Sequence, residues 1–294
     1  MTKERLTQQD IQNIQKEIFN LNRYKPQWRA YIPVKHPSKK AHYETYRTMK
    51  DVPDGIFTFV KQNATYNENP LTAYESSDVY YVDLTRVWSV HQNDLEISEN
   101  GRIKTDSILK IKENMEDQIE GLILNGATIG GLTQYGLTNW SGVNAGTDGN
   151  GNGMDEIYTK FKELKNKLTE DSFKNKASWW AIYDATVDGY LDLLNSTHGH
   201  SAREKLISNG IINEGKQHLS KNLTADSGDA AAILLEPDLK NFYVSELTNG
   251  IEVKPLLGGF LDTDFCFKGY LKWQGCLIVV NPNSIAKNTG IASS

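Results

Sequence analysis

The sequence predicts an α+β chain, with helices in its middle and strands gathered towards both ends. Two apolar stripes at helical spacing predict the helices. A C-terminal third of short apolar runs, punctuated by Gly, Pro and Asn, predicts the strands. No strand–helix alternation of the kind that builds a doubly wound parallel sheet is visible, and there is no internal repeat.

Taken in order, residues 7–22, "TQQDIQNIQKEIFNLN", set Ile11, Ile14, Ile18 and Leu21 at helical spacing behind Thr7, a residue type that caps helices. Residues 23–75 mix prolines, aromatics and charges with few apolar runs. "HYETY" and "FTFV" alternate as strands do, but Pro26, Pro33, Pro37, Pro53 and Pro70 interrupt any longer strand. That composition suits a ribbon projecting from the body and packing on other chains. Residues 78–90, "DVYYVDLTRVWSV", predict a stronger strand. A long helix is expected over 105–124, where Ile108, Ile111, Met115, Ile119 and Leu122 form one stripe and Gly126 follows. A second is expected over 153–168, with Met154, Ile157, Phe161, Leu164 and Leu168 at steps of three and four. Residues 178–194 read as a strand leading into a helix, and 201–208 as another helix. The strands of the last third are "AAAILLEPD", "NFYVSEL", "IEVKPLL", "DFCFKGYLKW" and "CLIVVNP".

A chain of 294 residues, 38% hydrophobic and 23% charged, can bury a proper core. It has no apolar run long enough to span a bilayer, and no membrane partner is expected. The start, "MTKERLTQQD", has no apolar segment of a secretory signal. The two cysteines, Cys266 and Cys276, exclude a disulfide-rich scaffold and read as small buried residues. The net charge of −5 is uneven: residues 1–50 hold 11 Lys/Arg against 4 Asp/Glu. A basic N-terminal segment on an acidic body suits a negative partner, whether nucleic acid or a neighbouring copy, or is a solvated basic surface.

Residues 148–153, "DGNGNG", raise the possibility of a calcium loop. Asp148, Asn150, Asn152 and Gly153 fill the early positions of an EF-hand loop, but its twelfth position is Thr159, which offers no bidentate carboxylate. No amphipathic helix enters the loop, so a turn built on Gly and Asn is the favoured reading, and a calcium-dependent binding module the alternative. No nucleophile elbow, phosphate-binding loop or dinucleotide fingerprint occurs. His198 and His200 lack an evident third ligand, and the Asp262/Asp264 pair in "DTDF" reads as a sheet edge rather than a hydrolytic pair. The six tryptophans, Trp179 and Trp180 adjacent among them, read as core and interface residues. No enzyme and no cofactor is expected.

The order of these features resembles the major capsid proteins of tailed phages. The resemblance is specific at 131–140, where "YGLTNW" is similar to a motif that follows the long spine helix in those proteins and in the related encapsulins. It is specific again at 262–291, "DTDFCFKGYLKWQGCLIVVNPNSIAKNTGI". It implies the Hong Kong ninety-seven-type capsid fold. Residues 1–30 would form the N-terminal arm, 31–85 an extended loop lying over a neighbour, 86–170 and 246–294 the peripheral domain, and 171–245 the axial domain.

The implied role is self-assembly, through pentamers and hexamers, into an icosahedral virion shell formed in the host cytoplasm around double-stranded DNA contacted non-specifically. Scaffolding and decoration proteins are possible partners, and an encapsulin-type nanocompartment is the alternative. Deleting residues 1–22 is expected to impair particle formation and leave the subunit folded. Some members crosslink a ribbon lysine to a neighbour's asparagine; Lys61 with Asn283 or Asn288 matches that pair only in residue type.

Overall fold

The computed structural model describes residues 27–37, 43–49, 74–91, 105–129, 131–147, 154–172, 179–194, 199–223, 230–255 and 266–292. The helix read at 7–22, the "FTFV" strand, Lys61, His198 and the Asp262/Asp264 pair lie outside the described residues.

Two five-stranded sheets share one central apolar layer. In the first, β13 (Cys266–Val279) is the spine. On one side it pairs antiparallel with β4 (Val82–His91). On the other it pairs with β12 (Glu252–Pro255) and then β11 (Phe242–Glu246), and β11 pairs parallel with the short β1 (Val34–Lys35). The second sheet runs β7 (Asn144–Ala145), β14 (Ile285–Ala292), β10 (Ala230–Leu235), β8 (Trp180–Tyr183), β9 (Gln217–Leu219). Two two-stranded pairs complete the β structure: β2 (Tyr43–Met49) with β3 (Tyr74–Tyr80), and β5 (Ala127–Ile129) with β6 (Leu132–Gln134).

Helix α1 (Thr105–Asn125) packs on the first sheet. Helices α2 (Met154–Ser172) and α3 (Ala185–Leu191) pack on the second, and α4 (Ala202–Ser208) packs against those two helices. Strand β10 shows how the layers divide. All six of its residues are buried, because side chains alternate between two covered faces. Ala231, Ile233 and Leu235 enter the core beneath α1, with Met115, Ile119, Leu271 and Trp273. Ala230, Ala232 and Leu234 enter the core beneath α2, with Ile157, Phe161, Leu164 and Leu168. Of the stripes read from the sequence, Met115, Ile119 and Leu122 face the first core with Ile111 packed against it, and Ile157, Phe161, Leu164 and Leu168 face the second.

Three features differ from the sequence reading. Strand β13 is one 14-residue strand where two were expected. Gly275 does not break it: a Cβ there would lie 2.4 Å from the Trp273 ring, so the glycine makes room for the indole across the strand. The strand read at 78–90 is two strands interrupted at Tyr81, where the chain changes partner from β2 to β13. The start of the supposedly coreless stretch is core: Trp28, Tyr31 and Ile32 are almost fully buried beneath α1. Helix α2 and strand β14 lie with the second sheet, alongside the elements of 171–245.

Candidate functional site

The C-terminus of α1 is finished by the 131–140 motif. The last helical carbonyls have no partner within the helix and must find donors elsewhere. Gly126 N donates to Leu122 O, Leu137 N to Ile123 O, and Thr138 N and Oγ1 both to Leu124 O, each at 2.9 Å. Gly136 N donates to Asn139 Oδ1 at 2.6 Å, and Leu137 is fully buried beneath α1. The approach is close enough to require glycine. A Cβ on Gly136 would sit 2.3 Å from Gly126 N, and Gly126 itself has φ +72°. The "GLTN" stretch is therefore a cap that seals the long helix.

Three polar clusters tie peripheral segments to this body. The first holds the strap before β1. Arg29 Nη2 donates to both oxygens of Glu246, at 2.6 and 2.5 Å, and Glu246 Oε1 also accepts from Trp273 Nε1 at 2.8 Å. The same strap is also held by α1, where Glu120 accepts from Tyr31 Oη at 2.5 Å and Asn222 Nδ2 at 2.8 Å, and meets His218 Nε2 at 2.8 Å. Burial pushes the Glu120 carboxyl up, but the bonds from His218, Tyr31 and Asn222 outweigh it and hold it below its ordinary value. Burial next to that carboxylate pushes the Tyr31 phenol far up. Strap, long helix and second sheet thus meet at one carboxylate. One turn earlier on α1, burial pushes the Glu116 carboxyl up to about 7, with Lys112 opposing and Glu113 adding to the rise.

The second cluster lies at the root of the β2–β3 ribbon. Glu44 Oε1 accepts from Lys35 Nζ and Tyr243 Oη, both at 3.1 Å. Glu44 Oε2 accepts from Tyr81 Oη at 2.7 Å and from Ser245 Oγ. Beneath these groups Val79, Tyr81 and Val280 cover Tyr243, Cys276 and Ile278 on the outer face of the first sheet. Cys276 is a free, buried thiol, as expected for a small core residue.

The third cluster braces the tip of the second layer. Arg203 donates to Asp188 Oδ1, Asp192 Oδ1, Tyr183 Oη and Gln217 Oε1 at 2.6–2.7 Å. Ser201 closes a capping box with Glu204, and an isolated bridge joins Leu194 to Ser201. This brace presents two adjacent apolar side chains to solvent: Leu193, half exposed, and Leu194, 70% exposed.

Of the residues singled out in the sequence, Asp148, Asn150, Asn152 and Gly153 lie outside the described residues. The residue before them, Thr147, is held at both ends: its amide and hydroxyl donate to Glu163 Oε1, and its carbonyl accepts from Lys160 Nζ and Asn288 Nδ2. Thr159, the twelfth loop position, lies in α2 with its hydroxyl donating to Asp155 O at 2.7 Å. Asn288 is buried and committed to Thr147 and to the Gly290 amide, whereas Asn283 is exposed. His200 is an exposed partner of Glu204 at 3.5 Å. Trp179 is buried in the second core and Trp180 packs against the first. Among the described residues no three His, Cys, Asp or Glu side chains gather as a metal site, and no helix is long and apolar enough to cross a membrane. Glu44, Glu120 and Arg203 were not visible in the sequence. The Ser201-x-x-Glu204 capping box was the one local signal beside them.

No protein-family model matches the chain, and no curated protein matches it by sequence. Solved structures do match along almost its whole length. The capsid of Myoviridae phage XM1 aligns with a TM-score of 0.65 at 17% identity, covering 90% of this chain and 91% of that one. A virus-like particle from Pyrococcus furiosus aligns at 0.61 and 12% identity, covering 94% and 98%. The holo-SrpI encapsulin complex from Synechococcus elongatus aligns at 0.57 and 14%, covering 92% and 89%. The chain has the α+β fold that these shell subunits share, the Hong Kong ninety-seven-type capsid fold.

Proposed function

We propose that this chain is the major capsid protein of a tailed virus, assembling with itself into an icosahedral shell around double-stranded DNA. The observation that carries the reading is the agreement of the fold with the phage XM1 capsid over about nine-tenths of both chains. Such a subunit acts by assembly rather than catalysis, many weak contacts adding up through multivalency. The first sheet with α1 is the peripheral domain in this reading. The second sheet with α2–α4 is the axial domain, its tip at Leu193–Leu194 facing a symmetry axis of a pentamer or hexamer. Because α2 packs against the second sheet and β14 is one of its strands, this reading takes 144–172 and 285–292 into the axial domain as well, further than the sequence boundaries did. In this reading the arm precedes Trp28 and the extended loop over a neighbour lies between β1 and Val82, while Trp28, Tyr31, Ile32, β1 and the start of β4 belong to the body. Scaffolding and decoration proteins, and assembly in the host cytoplasm, belong to the same reading.

The second reading is an encapsulin-type nanocompartment, favoured by the comparable match to the holo-encapsulin complex. The excess of Lys/Arg in residues 1–50 favours a nucleic-acid content over a protein cargo. Negative-stain electron microscopy of purified recombinant protein tests both. Uniform shells with co-purifying DNA support the capsid, and shells with a co-purifying protein support the nanocompartment. A chain that stays monomeric at every concentration, even with the co-expressed proteins of its own genome, refutes both.

A further inference from the structure

The β2–β3 ribbon is joined to the body in an unusual way. Among the described residues its strands pair only with each other, in an unbroken register from Tyr43↔Tyr80 to Met49↔Tyr74. At Tyr81 the chain leaves this pair and enters the first sheet. The apolar contact beneath the root, Val79 and Tyr81 over Cys276 and Ile278, is non-directional and by itself would allow the ribbon to swivel. Direction requires hydrogen bonds. Among the described side chains, those joining ribbon to body converge on one residue of β2, Glu44. The remaining tie is at the backbone of Tyr80, where Gln134, its amide turned to suit both neighbours, donates to Tyr80 O and accepts from Leu277 N.

We infer that Glu44 is the positioning residue that sets the angle at which the ribbon leaves the body. Its two oxygens take four donors from three separate elements: Lys35 on β1, Tyr81 at the β3–β4 junction, and Tyr243 and Ser245 on β11. A carboxylate offers about four acceptor directions, so this one is filled. Swivelling the ribbon would break several charge-assisted bonds together, and these are the strong class of hydrogen bond. Burial pushes the Glu44 carboxyl up, but the Ser245, Tyr81 and Lys35 bonds outweigh it and keep it ionised at neutral pH. Lys35 is itself seated 4.7 Å above the Tyr243 ring, which fixes the cation on the same side. The consequence for assembly rests on the proposed shell function: identical subunits can tile only if each presents its ribbon in the same direction.

The test compares the full-length wild type with Glu44→Gln, which keeps the shape and removes the charge. Hydrogen exchange is measured on the unassembled fraction of each, and particle size on the assembled fraction. Peptides covering β2 and β3 should exchange about tenfold faster or more in the variant, one strong bond's worth, while α1 and β10 keep wild-type rates. Its particles should be fewer and broader in diameter. Tyr243→Phe and Ser245→Ala should shift exchange the same way by less. Unchanged β2–β3 exchange overturns the inference. So does an equal rise in α1 and β10, which would make Glu44 a general stabiliser. If exchange rises as expected yet the variant's shells match a uniform wild type, the angle does not govern assembly. If the wild type itself forms no shells, the shell reading fails, and the exchange result alone decides whether Glu44 holds the ribbon.

Discussion

Removing Glu120 should unfasten the strap and the second sheet from α1 together, and a double-mutant cycle with Tyr31 measures how much of the loss is shared. Glu120→Ala deletes the acceptor of three bonds, from Tyr31 at 2.5 Å and from His218 and Asn222 at 2.8 Å. Tyr31 is 1% exposed, so its hydroxyl cannot turn to water. Breaking one side of such a buried polar cluster costs about 3–5 kcal/mol. Tyr31→Phe in the wild type removes a single bond to a charged group and should cost about 1.5–3 kcal/mol. In the Glu120→Ala background the same change should cost nearly nothing, giving a coupling of about 1.5–3 kcal/mol.

Urea unfolding of the unassembled chain, followed by tryptophan fluorescence, reads all four corners. A pH series adds an independent check. The Glu120 pKa is lower folded than unfolded, so its contribution is complete above the ordinary carboxylate range and is lost as pH falls through the lowered value. Wild type and Tyr31→Phe should therefore converge only in acid. Equal costs for Tyr31→Phe in both backgrounds would refute the account of Glu120 as a shared acceptor.

Glu116 should behave with the opposite sign. Its folded pKa of about 7 lies above the unfolded value, so stability falls as pH rises between the two, and the full cost remains above pH 7. Glu116→Gln should gain about 1–2 kcal/mol near pH 8, after discounting for partial solvent screening, and nothing near pH 4, measured by denaturant unfolding. Gly136→Ala drives a Cβ against the backbone of Gly126 and Asn125, none of which can give way, and should cost about 1–3 kcal/mol or more, visible as a lowered melting temperature. Leu194→Ser removes an exposed apolar side chain at the tip. It should leave stability within about 0.5 kcal/mol of wild type while reducing the yield of particles in electron micrographs.

Helices α1 and α2 and strands β10 and β11 were legible because each carries a single apolar stripe or run. Ile157, Phe161, Leu164 and Leu168 follow the helical period, and all four are buried on the same face. The failures fall where a pattern depends on packing or pairing that the linear order does not show. Gly275 reads as a break until the Trp273 indole that crosses it is known. Trp28, Tyr31 and Ile32 look like scattered apolar residues in a coreless stretch because their cover, on α1 and the first sheet, is far along the chain. Tyr81 sits inside a continuous strand-like run, and only the change of pairing partner divides it. The polar clusters were illegible for the same reason. Glu120 meets residues 89 and 98 positions away, and Glu44 meets one 201 away, with no spacing rule to predict either.

That division between apolar and polar fastening has a mechanical consequence. Strand β10 is shared by both cores, so the two layers cannot slide past one another without emptying Ile233 or Leu234 from a close-packed site. The body is therefore one stiff tile. The strap, the ribbon and the tip are instead held to it by Glu246, Glu120, Glu44 and Arg203, each a small set of directional bonds around one charge. Each such set is directional and costly to break, so it fixes the angle of the segment it holds, whereas the apolar core fixes the shape of the body. In the proposed shell, a subunit that presents its strap, ribbon and tip to neighbours at set angles would need this combination. The angles of those segments would then be set at the charged clusters, and the shape of the subunit preserved by the shared strand.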